Sequence, residues 1–207
     1  MLKEYISCQP KYLDNKSKLY WRFNCDSSWL TFENSKGHRK TIFSLGEGLV
    51  SLTTRLGHVS FTEFKTVFLY TNKVISGCCD PDDYYLYDKT SGNLVKYLGR
   101  AVYVSEDSSL PIVVSITKSN YRRTSEPDLN TLTIYNLDKR KEYKIQIPKG
   151  DIAKGVKNNN FLFPEYVFDT PLVSNGKLTL RYFTQDYRKT KQVNYRTIII
   201  DLKKYSS

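Results

Sequence analysis

One antiparallel hairpin pattern recurs along the 207-residue chain, and it limits the folds that the sequence can adopt. Each copy begins with an alternating apolar strand and continues through a turn rich in Asp, Asn, Gly and Lys. In three of the four copies a second alternating strand follows. Asp and Asn favour such turns because their side chains hydrogen-bond nearby backbone groups. The copies read SWLTFENSKGHRKTIFSL (28–45), YYLYDKTSGNLVKYLG (84–99), NTLTIYNLDKRKEYKIQIP (130–148) and YRTIIIDLKK (195–204).

The copies repeat with an irregular period near 50 residues. The apolar residues that end their first strands, Phe32, Tyr87, Tyr135 and Ile200, lie 55, 48 and 65 residues apart. Irregular spacing of this kind is expected where insertions fall in loops. Upstream of every copy, further strand-like segments extend the unit to about four antiparallel strands, and helical periodicity is scarce. These segments are 11–14 and 18–24, 48–56 and 65–76, 100–106 and 110–117, and 164–173 and 177–183.

These four-stranded units resemble the blades of a β-propeller, and YLYDKTSGNLVKYLG is similar to the outer hairpin of a blade. The resemblance covers most of the chain at the level of pattern and identifies no named subfamily. It implies an all-β fold, with antiparallel four-stranded repeats in a small propeller of about four blades. We expect one all-β domain over residues 1–207. A β-sandwich built from the same hairpins is the alternative.

The two ends of the chain suggest how such a ring would close. The fourth copy lacks a last strand, while the N-terminal LKEYIS is similar to KEYKIQI (141–147), which is the last strand of the third copy. Propellers leave only short, protected strand edges. We therefore expect Lys3–Ser7 to pair beside Ile198–Leu202.

Two predicted loops combine tyrosines with basic residues. In a propeller, the loops between the second and third strands of each blade share one face, and loops on a rigid scaffold carry binding residues. Tyr and Arg are enriched at interface hot spots because they offer large contact area and forked hydrogen-bond donors. The loops at 118–130 and 184–194 therefore predict a partner-binding surface. Its residues are Tyr121, Arg122, Arg123, Tyr187, Arg188, Lys189, Lys191, Tyr195 and Arg196.

The net charge of +11 indicates the kind of partner. Residues 1–117 contain 14 basic and 12 acidic side chains, and residues 118–207 contain 18 and 9. A positive field steers acidic partners, so we predict a protein with an acidic surface. Nucleic acid is the alternative, with arginines on phosphates and tyrosines stacked on bases. Against nucleic acid, Asp80, Asp82 and Asp83 would share the face and repel phosphates.

The hexapeptide CCDPDD (78–83) is the most unusual segment of the chain. Asp80, Asp82 and Asp83 are weak candidates for a calcium site, because calcium prefers oxygen ligands but the EF-hand spacing is missing. An exposed Asp-Pro turn is the favoured interpretation, and no metal is predicted. Cys25 would lie near Cys78 and Cys79 on neighbouring loops. A disulfide between them suits an exported chain, whereas in a reducing compartment they would stay thiols.

Signals for catalysis are few. His38 and His58 do not stand in a metal-ligand spacing, and the sequence contains no phosphate-binding glycine loop or nucleophile elbow. We expect no cofactor. A hydrolase with a carboxylate or Cys–His site in the central pocket is the alternative to a binding protein. Trp21 and Trp29 stand among apolar neighbours on alternating strands and are expected to fill the core.

The sequence therefore predicts a non-catalytic binding protein that docks a protein partner through basic, Tyr-rich loops. A bacterial immunity protein that neutralises a toxin is the specific form of this hypothesis. No apolar run approaches the roughly 20 residues of a membrane helix. The start MLKEYISCQP has no signal-peptide core, so a soluble chain is expected, either cytoplasmic or exported with its leader removed.

Overall fold

The computed structural model describes residues 9–24, 27–46, 60–72, 81–117, 127–184 and 195–206. The fold is mainly antiparallel β, in four sheets that are each built from strands consecutive in sequence. Three sheets have four described strands and the last has three. The expected all-β class is confirmed. The propeller arrangement stays a prediction.

The strands are numbered in chain order. The first sheet contains β1 (Lys11–Tyr12), β2 (Lys18–Phe23), β3 (Ser27–Glu33) and β4 (Arg39–Gly46). The second contains β5 (Phe61–Glu63), β6 (Val67–Asn72), β7 (Asp83–Asp88) and β8 (Leu94–Arg100). The third contains β9 (Tyr103–Val104), β10 (Ile112–Thr117), β11 (Asp128–Asn136) and β12 (Lys141–Gln146). The fourth contains β13 (Leu172–Ser174), β14 (Lys177–Phe183) and β15 (Tyr195–Asp201).

The turn after the third strand is built alike in all four sheets. An Asn or Asp at or next to the end of that strand accepts backbone hydrogen bonds through its side-chain Oδ1. This is the local bonding by which Asx residues hold turns. The donors are Lys36 (3.0 Å) and His38 (2.9 Å) to Asn34, Thr90 (3.0 Å) and Ser91 (2.9 Å) to Asp88, Lys139 (2.8 Å) to Asn136, and Lys203 (3.2 Å) to Asp201.

Helix is scarce, as expected, but two short helical segments that the sequence did not reveal interrupt the strand pattern between the third and fourth sheets. Helix α1 (Asp151–Asn159) begins after Gly150 without a side-chain cap. A Cβ on Gly155, in the middle of α1, would overlap the backbone of Phe183. The helix is short, and close packing requires a glycine in its middle. A short helix with a central glycine gives a weak periodic signal, so a search for helical periodicity misses it.

The predicted strand at 164–173 is also wrong in its first half. Pro164–Val167 forms a 3-10 helix, with its proline in the first turn, where a missing N–H costs no hydrogen bond. Only Leu172–Ser174 pairs as a strand. The chain ends in a short helix, α2 (Lys203–Ser206), directly after the fourth Asx turn. The predicted strand at 48–56 and the N-terminal Lys3–Ser7 lie outside the described residues.

The chain divides into two compact units. Unit 1 comprises Met1–Ile75 and Tyr85–Tyr97, and unit 2 comprises Ser76–Tyr84 and Leu98–Ser207. Unit 1 has 13 basic and 7 acidic residues, and unit 2 has 19 and 14. The excess of positive charge is therefore shared between the units, at +6 and +5. The contrast between 1–117 and 118–207 does not correspond to a structural unit.

Unit 1 packs around stacked aromatic rings. The ring centroids of Phe32 and Phe68 lie 5.9 Å apart, and those of Phe68 and Tyr87 lie 5.3 Å apart. Trp21 is buried in this core, as expected. Trp29 is only half-buried, so its expected core position is wrong. The alternation of β3 turns its neighbours Ser28 and Leu30 inward and places Trp29 on the opposite face.

A buried lysine links several segments of unit 1. The side chain of Lys89 is 4% exposed, although it lies in a hairpin turn rich in polar residues. Its ammonium group contacts the carboxylates of Asp14 and Glu63 (2.7 Å) and donates to the Phe64 carbonyl (2.9 Å). Burial lowers the pKa of Lys89, but the hydrogen bonds to both carboxylates outweigh it and the net pKa is raised. The cation therefore stays charged and fully partnered, as a buried charge requires.

Unit 2 has a mainly aliphatic core between the third and fourth sheets. Leu132 and Ile134 of the third sheet and Leu178 and Leu180 of the fourth are fully buried in it. Helix α2 connects these sheets, because Asn136 Nδ2 donates to the carbonyl of Tyr205 (2.6 Å). The third and fourth sheets therefore form one packed unit.

A charge network crosses three strands of the first sheet. Glu33 on β3 contacts the Lys18 ammonium (2.9 Å) and the Arg39 guanidinium (2.8 Å), and it accepts a hydrogen bond from the Tyr20 hydroxyl (2.8 Å). The Glu33 side chain is 11% exposed. The hydrogen bonds from Lys18, Arg39 and Tyr20 lower the pKa of Glu33 to about 2.

This network predicts a loss of stability in acid. Because the folded pKa of Glu33 lies below its ordinary value of 4.5, the contribution is complete above pH 4.5 and falls as the pH drops toward about 2. The free energy of unfolding, measured by urea denaturation at pH values between 7 and 2, should fall less steeply below pH 4.5 in Glu33→Gln than in the wild type. Glu106→Gln, at an exposed position after β9, is the control and should keep the wild-type slope. Identical slopes for Glu33→Gln and the wild type would contradict the assignment.

Candidate functional site

Two of the nine residues predicted to bind a partner lie in the described part of the chain. They are Tyr195 and Arg196, the first residues of β15. The other seven lie outside the described residues: Tyr121, Arg122, Arg123, Tyr187, Arg188, Lys189 and Lys191. The geometry at the base of the 184–194 loop therefore carries the structural argument.

Tyr195 presents an exposed ring on a fixed support. The residue is 42% exposed and pairs across the sheet with Phe183, whose ring centroid lies 6.4 Å away. The guanidinium carbon of Arg181 lies 4.8 Å from the centre of the Tyr195 ring. Arg181 is held by Asp169 at 2.6 Å. A ring fixed from two sides loses little rotamer freedom when a partner binds.

Arg196 is anchored by a buried carboxylate. Its Nη1 lies 3.2 Å from Oδ2 of Asp151, and its side chain remains 57% exposed. Tyr182, directly across the strand pair, donates its hydroxyl to the same oxygen at 3.1 Å. Asp151 is 6% exposed and is the first residue of α1, where the helix dipole favours an anion. Arg196 therefore neutralises a buried charge while it keeps donors at the surface.

This arrangement shifts the pKa of the Tyr182 hydroxyl. Burial, together with the hydrogen bond to Asp151, raises the pKa of Tyr182 to about 12. The hydroxyl is therefore a permanent donor at neutral pH. Sequence reasoning missed both Asp151 and Tyr182. Tyr182 follows the strand alternation like any core residue, and the helix that places Asp151 gave no signal.

A row of aromatic rings extends from Tyr195 across unit 2. Rings that are individually half-buried form a continuous set of contacts, and Leu162 beside them is 80% exposed. Because Phe161 packs against the core of unit 2, the row connects that core to the exposed ring of Tyr195. In the sequence, the only sign of this row of rings is the aromatic-rich segment FLFPEY (161–166). The centroid distances are 6.4 Å for Tyr195–Phe183, 5.6 Å for Phe183–Phe161, 6.2 Å for Phe161–Tyr166 and 5.7 Å for Tyr166–Phe163.

Unit 2 also contains an open pocket of about 560 Å³. It lies between the first strands of the third and fourth sheets, since β9 supplies Tyr103 and β13 supplies Val173. The acidic residues Glu106 and Asp107 are among its lining residues. Hydrogen bonds from Ser109 lower the pKa of Asp107, whereas a general acid needs a raised pKa. Asp107 is therefore better suited to stabilising a turn than to donating a proton.

The acidic segment near Pro81 differs from the exposed turn that was favoured. Asp83 begins β7 and is 4% exposed, so that interpretation is wrong for it, and Asp82 is half-buried. Asp80, Cys25, Cys78 and Cys79 lie outside the described residues, as does His58. Within the described ranges, no group of three or more His, Cys, Asp or Glu side chains could hold a metal ion.

Among the described segments, no helix combines the length and the apolar character that crossing a bilayer requires.

Comparison with known proteins adds no functional assignment. No protein-family model matches the sequence, and no curated protein matches it.

Because Asp151 anchors Arg196, replacing Asp151 should reduce the free energy of unfolding more than replacing Asp169. Asp151→Asn should cost about 1–3 kcal/mol of unfolding free energy, because the buried Tyr182 hydroxyl and Arg196 lose a charged acceptor. Asp169→Asn should cost less than about 1 kcal/mol, because its pair with Arg181 is partly exposed. Urea denaturation at pH 7 measures both values. Equal losses in the two variants would show that Asp151 does not hold the site.

Proposed function

We propose that this chain is a non-catalytic protein that binds an acidic protein partner through one surface of unit 2. The docking surface consists of Tyr195 and Arg196 together with the two basic, Tyr-rich loops predicted from the sequence. The observation that carries the proposal is the support of these two residues. The exposed Tyr195 ring is fixed by Arg181 and Phe183, and Arg196 is anchored on buried Asp151.

This geometry suits binding because Tyr195 and Arg196 are already partly immobilised in the free protein, so less side-chain entropy is lost when a partner binds. Immobilising a flexible side chain at an interface costs roughly 0.5–1.5 kcal/mol, and Tyr195 and Arg196 avoid part of that cost. Tyr and Arg are also the side chains that dominate hot spots. The basic charge raises the association rate with an acidic partner, and the aromatic contacts slow dissociation.

A toxin-neutralising immunity protein is the specific role that we propose. An inhibitor of this kind must capture its target quickly and release it slowly. A net charge of +11 favours fast capture of an acidic toxin, and pre-positioned aromatic and arginine anchors favour slow release.

We also propose that the four sheets are blades of a small β-propeller, in which Lys3–Ser7 pairs beside Ile198–Leu202. Three features support this arrangement: each sheet is built from consecutive antiparallel strands, the Asx turn recurs in all four, and the first strands of the third and fourth sheets line one pocket. A β-sandwich would instead combine these hairpins into two larger sheets.

The docking proposal is tested with two docking variants and a control, and the first docking variant and the control remove the same four positive charges. The docking variant replaces Arg122, Arg123, Arg188 and Lys189 with Ala, and a second variant combines Tyr195→Ala with Arg196→Ala. The control replaces four exposed lysines of unit 2 with Ala: Lys139, Lys141, Lys144 and Lys149. The immobilised wild-type chain captures partners, mass spectrometry identifies them, and calorimetry with the purified partner compares affinities.

We expect both docking variants to bind about 100-fold more weakly, as loss of hot-spot residues predicts. The control should bind within about threefold of the wild type, apart from a lower association rate. Equal weakening of the docking variants and the control would show that only net charge matters. Undiminished binding by the docking variants would place the interface elsewhere.

A further inference from the structure

The pocket between β9 and β13 differs from the proposed docking surface in its chemical character and shares no residue with it. Its lining residues include Tyr84 and Tyr103, apolar residues such as Val104, and the acidic residues Glu106 and Asp107. A volume of about 560 Å³ falls within the range of small-molecule sites, roughly 300–1,000 Å³.

The carboxylates in this wall lack a cationic partner in the part of the chain that the structure describes. No ion pair there involves Glu106 or Asp107, although the chain has 32 basic and 21 acidic residues. Glu106 is exposed, and Asp107 uses its Oδ1 to accept a hydrogen bond from Ser109 N at 2.8 Å. Negative charge is therefore available to a ligand at the pocket.

Tyr84 also lies near a negative charge. Burial is the main cause that raises the pKa of Tyr84 to about 12, and the negative charge of Asp82 is the second cause. Tyr84 therefore keeps a neutral ring near neutral pH, and neutral aromatic faces attract cations. Apolar side chains, including Leu110, Pro171 and Val173, offer contact area for a hydrocarbon.

We propose that this pocket binds a small organic cation, namely an ammonium or guanidinium group on an aliphatic stem. The cationic group binds at Glu106 and Asp107 and the tyrosine rings, while the stem contacts the apolar wall. Two carboxylates are too few for a calcium ion, which takes six to eight oxygen ligands, whereas they suit the forked donors of a guanidinium. A free amine and the side chain of a Lys or Arg residue in a peptide share this chemistry.

The test uses the full-length ¹⁵N-labelled chain and amide chemical-shift titrations of residues 101–107. The free-cation arm uses pentylamine and agmatine, and the peptide arm uses N-acetyl-arginine amide and a blocked Ala-Arg-Ala tripeptide. Pentanol is the uncharged control ligand. Glu106→Gln and Tyr103→Leu are the test variants, Asp107→Asn keeps the turn acceptor while it removes the charge, and Glu142→Gln on β12 is the control variant.

We expect saturable shifts at residues 101–107 for the cations, with affinities in the micromolar to millimolar range, and at least about tenfold weaker binding of pentanol. Glu106→Gln and Asp107→Asn should each weaken cation binding about threefold to tenfold, and Glu142→Gln should leave it unchanged. Binding of both arms identifies a peptide side chain as an accepted ligand, and binding of the free cations alone identifies a free amine.

Three results would overturn the proposal. They are the absence of saturable shifts up to about 20 mM ligand, equal binding of pentanol and pentylamine, or unchanged affinity in both carboxylate variants. None of these results bears on the docking surface, because the two sets of variants share no residue.

Discussion

A short side chain at the end of the third strand of each sheet accepts hydrogen bonds from the backbone of the following turn. This interaction fixes where the strand ends, and it thereby fixes which residue of the fourth strand lies opposite. In the third sheet, Asn136 pairs with Lys141 across a turn that its own side chain holds. In the fourth sheet the same interaction at Asp201 leads into α2. In the three sheets with four described strands, the register of the last strand pair, and with it the division of its residues between core and surface, therefore depends on the Asx residue of the turn.

The repeated hairpins could be predicted because strand alternation and turn chemistry are local properties, encoded within about ten residues. What failed depended on distant partners. Lys89 looks like an exposed turn residue, and only the carboxylates of Asp14 and Glu63, far away in sequence, explain its burial. Helix α1 was hidden because Gly155 serves close packing against another segment. Trp29 was misplaced because its apolar neighbours in the sequence suggest a core position, whereas the alternation that turns Ser28 and Leu30 inward places Trp29 on the opposite face.

The candidate site follows the same division between local and distant information. Tyr195 and Arg196 could be selected from their composition and their position beside a loop. Their support could not be selected, because Arg181 reaches Tyr195 across a strand pair and Asp151 belongs to a helix that the sequence did not reveal. Unit 2 thus combines cationic and aromatic groups at the start of β15 with unneutralised carboxylates in the β9–β13 pocket. As proposed here, the two sites take ligands of opposite charge.

The most direct test of the repeated turn is the free energy of unfolding of four single variants, Asn34→Ala, Asp88→Ala, Asn136→Ala and Asp201→Ala. Each removes the acceptor of a backbone hydrogen bond and should cost about 1–2 kcal/mol, with the largest loss at Asn136, which also donates to Tyr205. Thr90→Ala, in the turn held by Asp88, keeps its backbone N–H and should change stability by less than about 0.5 kcal/mol. Losses confined to one or two of the four positions, or no larger than that of Thr90→Ala, would contradict a turn repeated with the same structural role in every sheet.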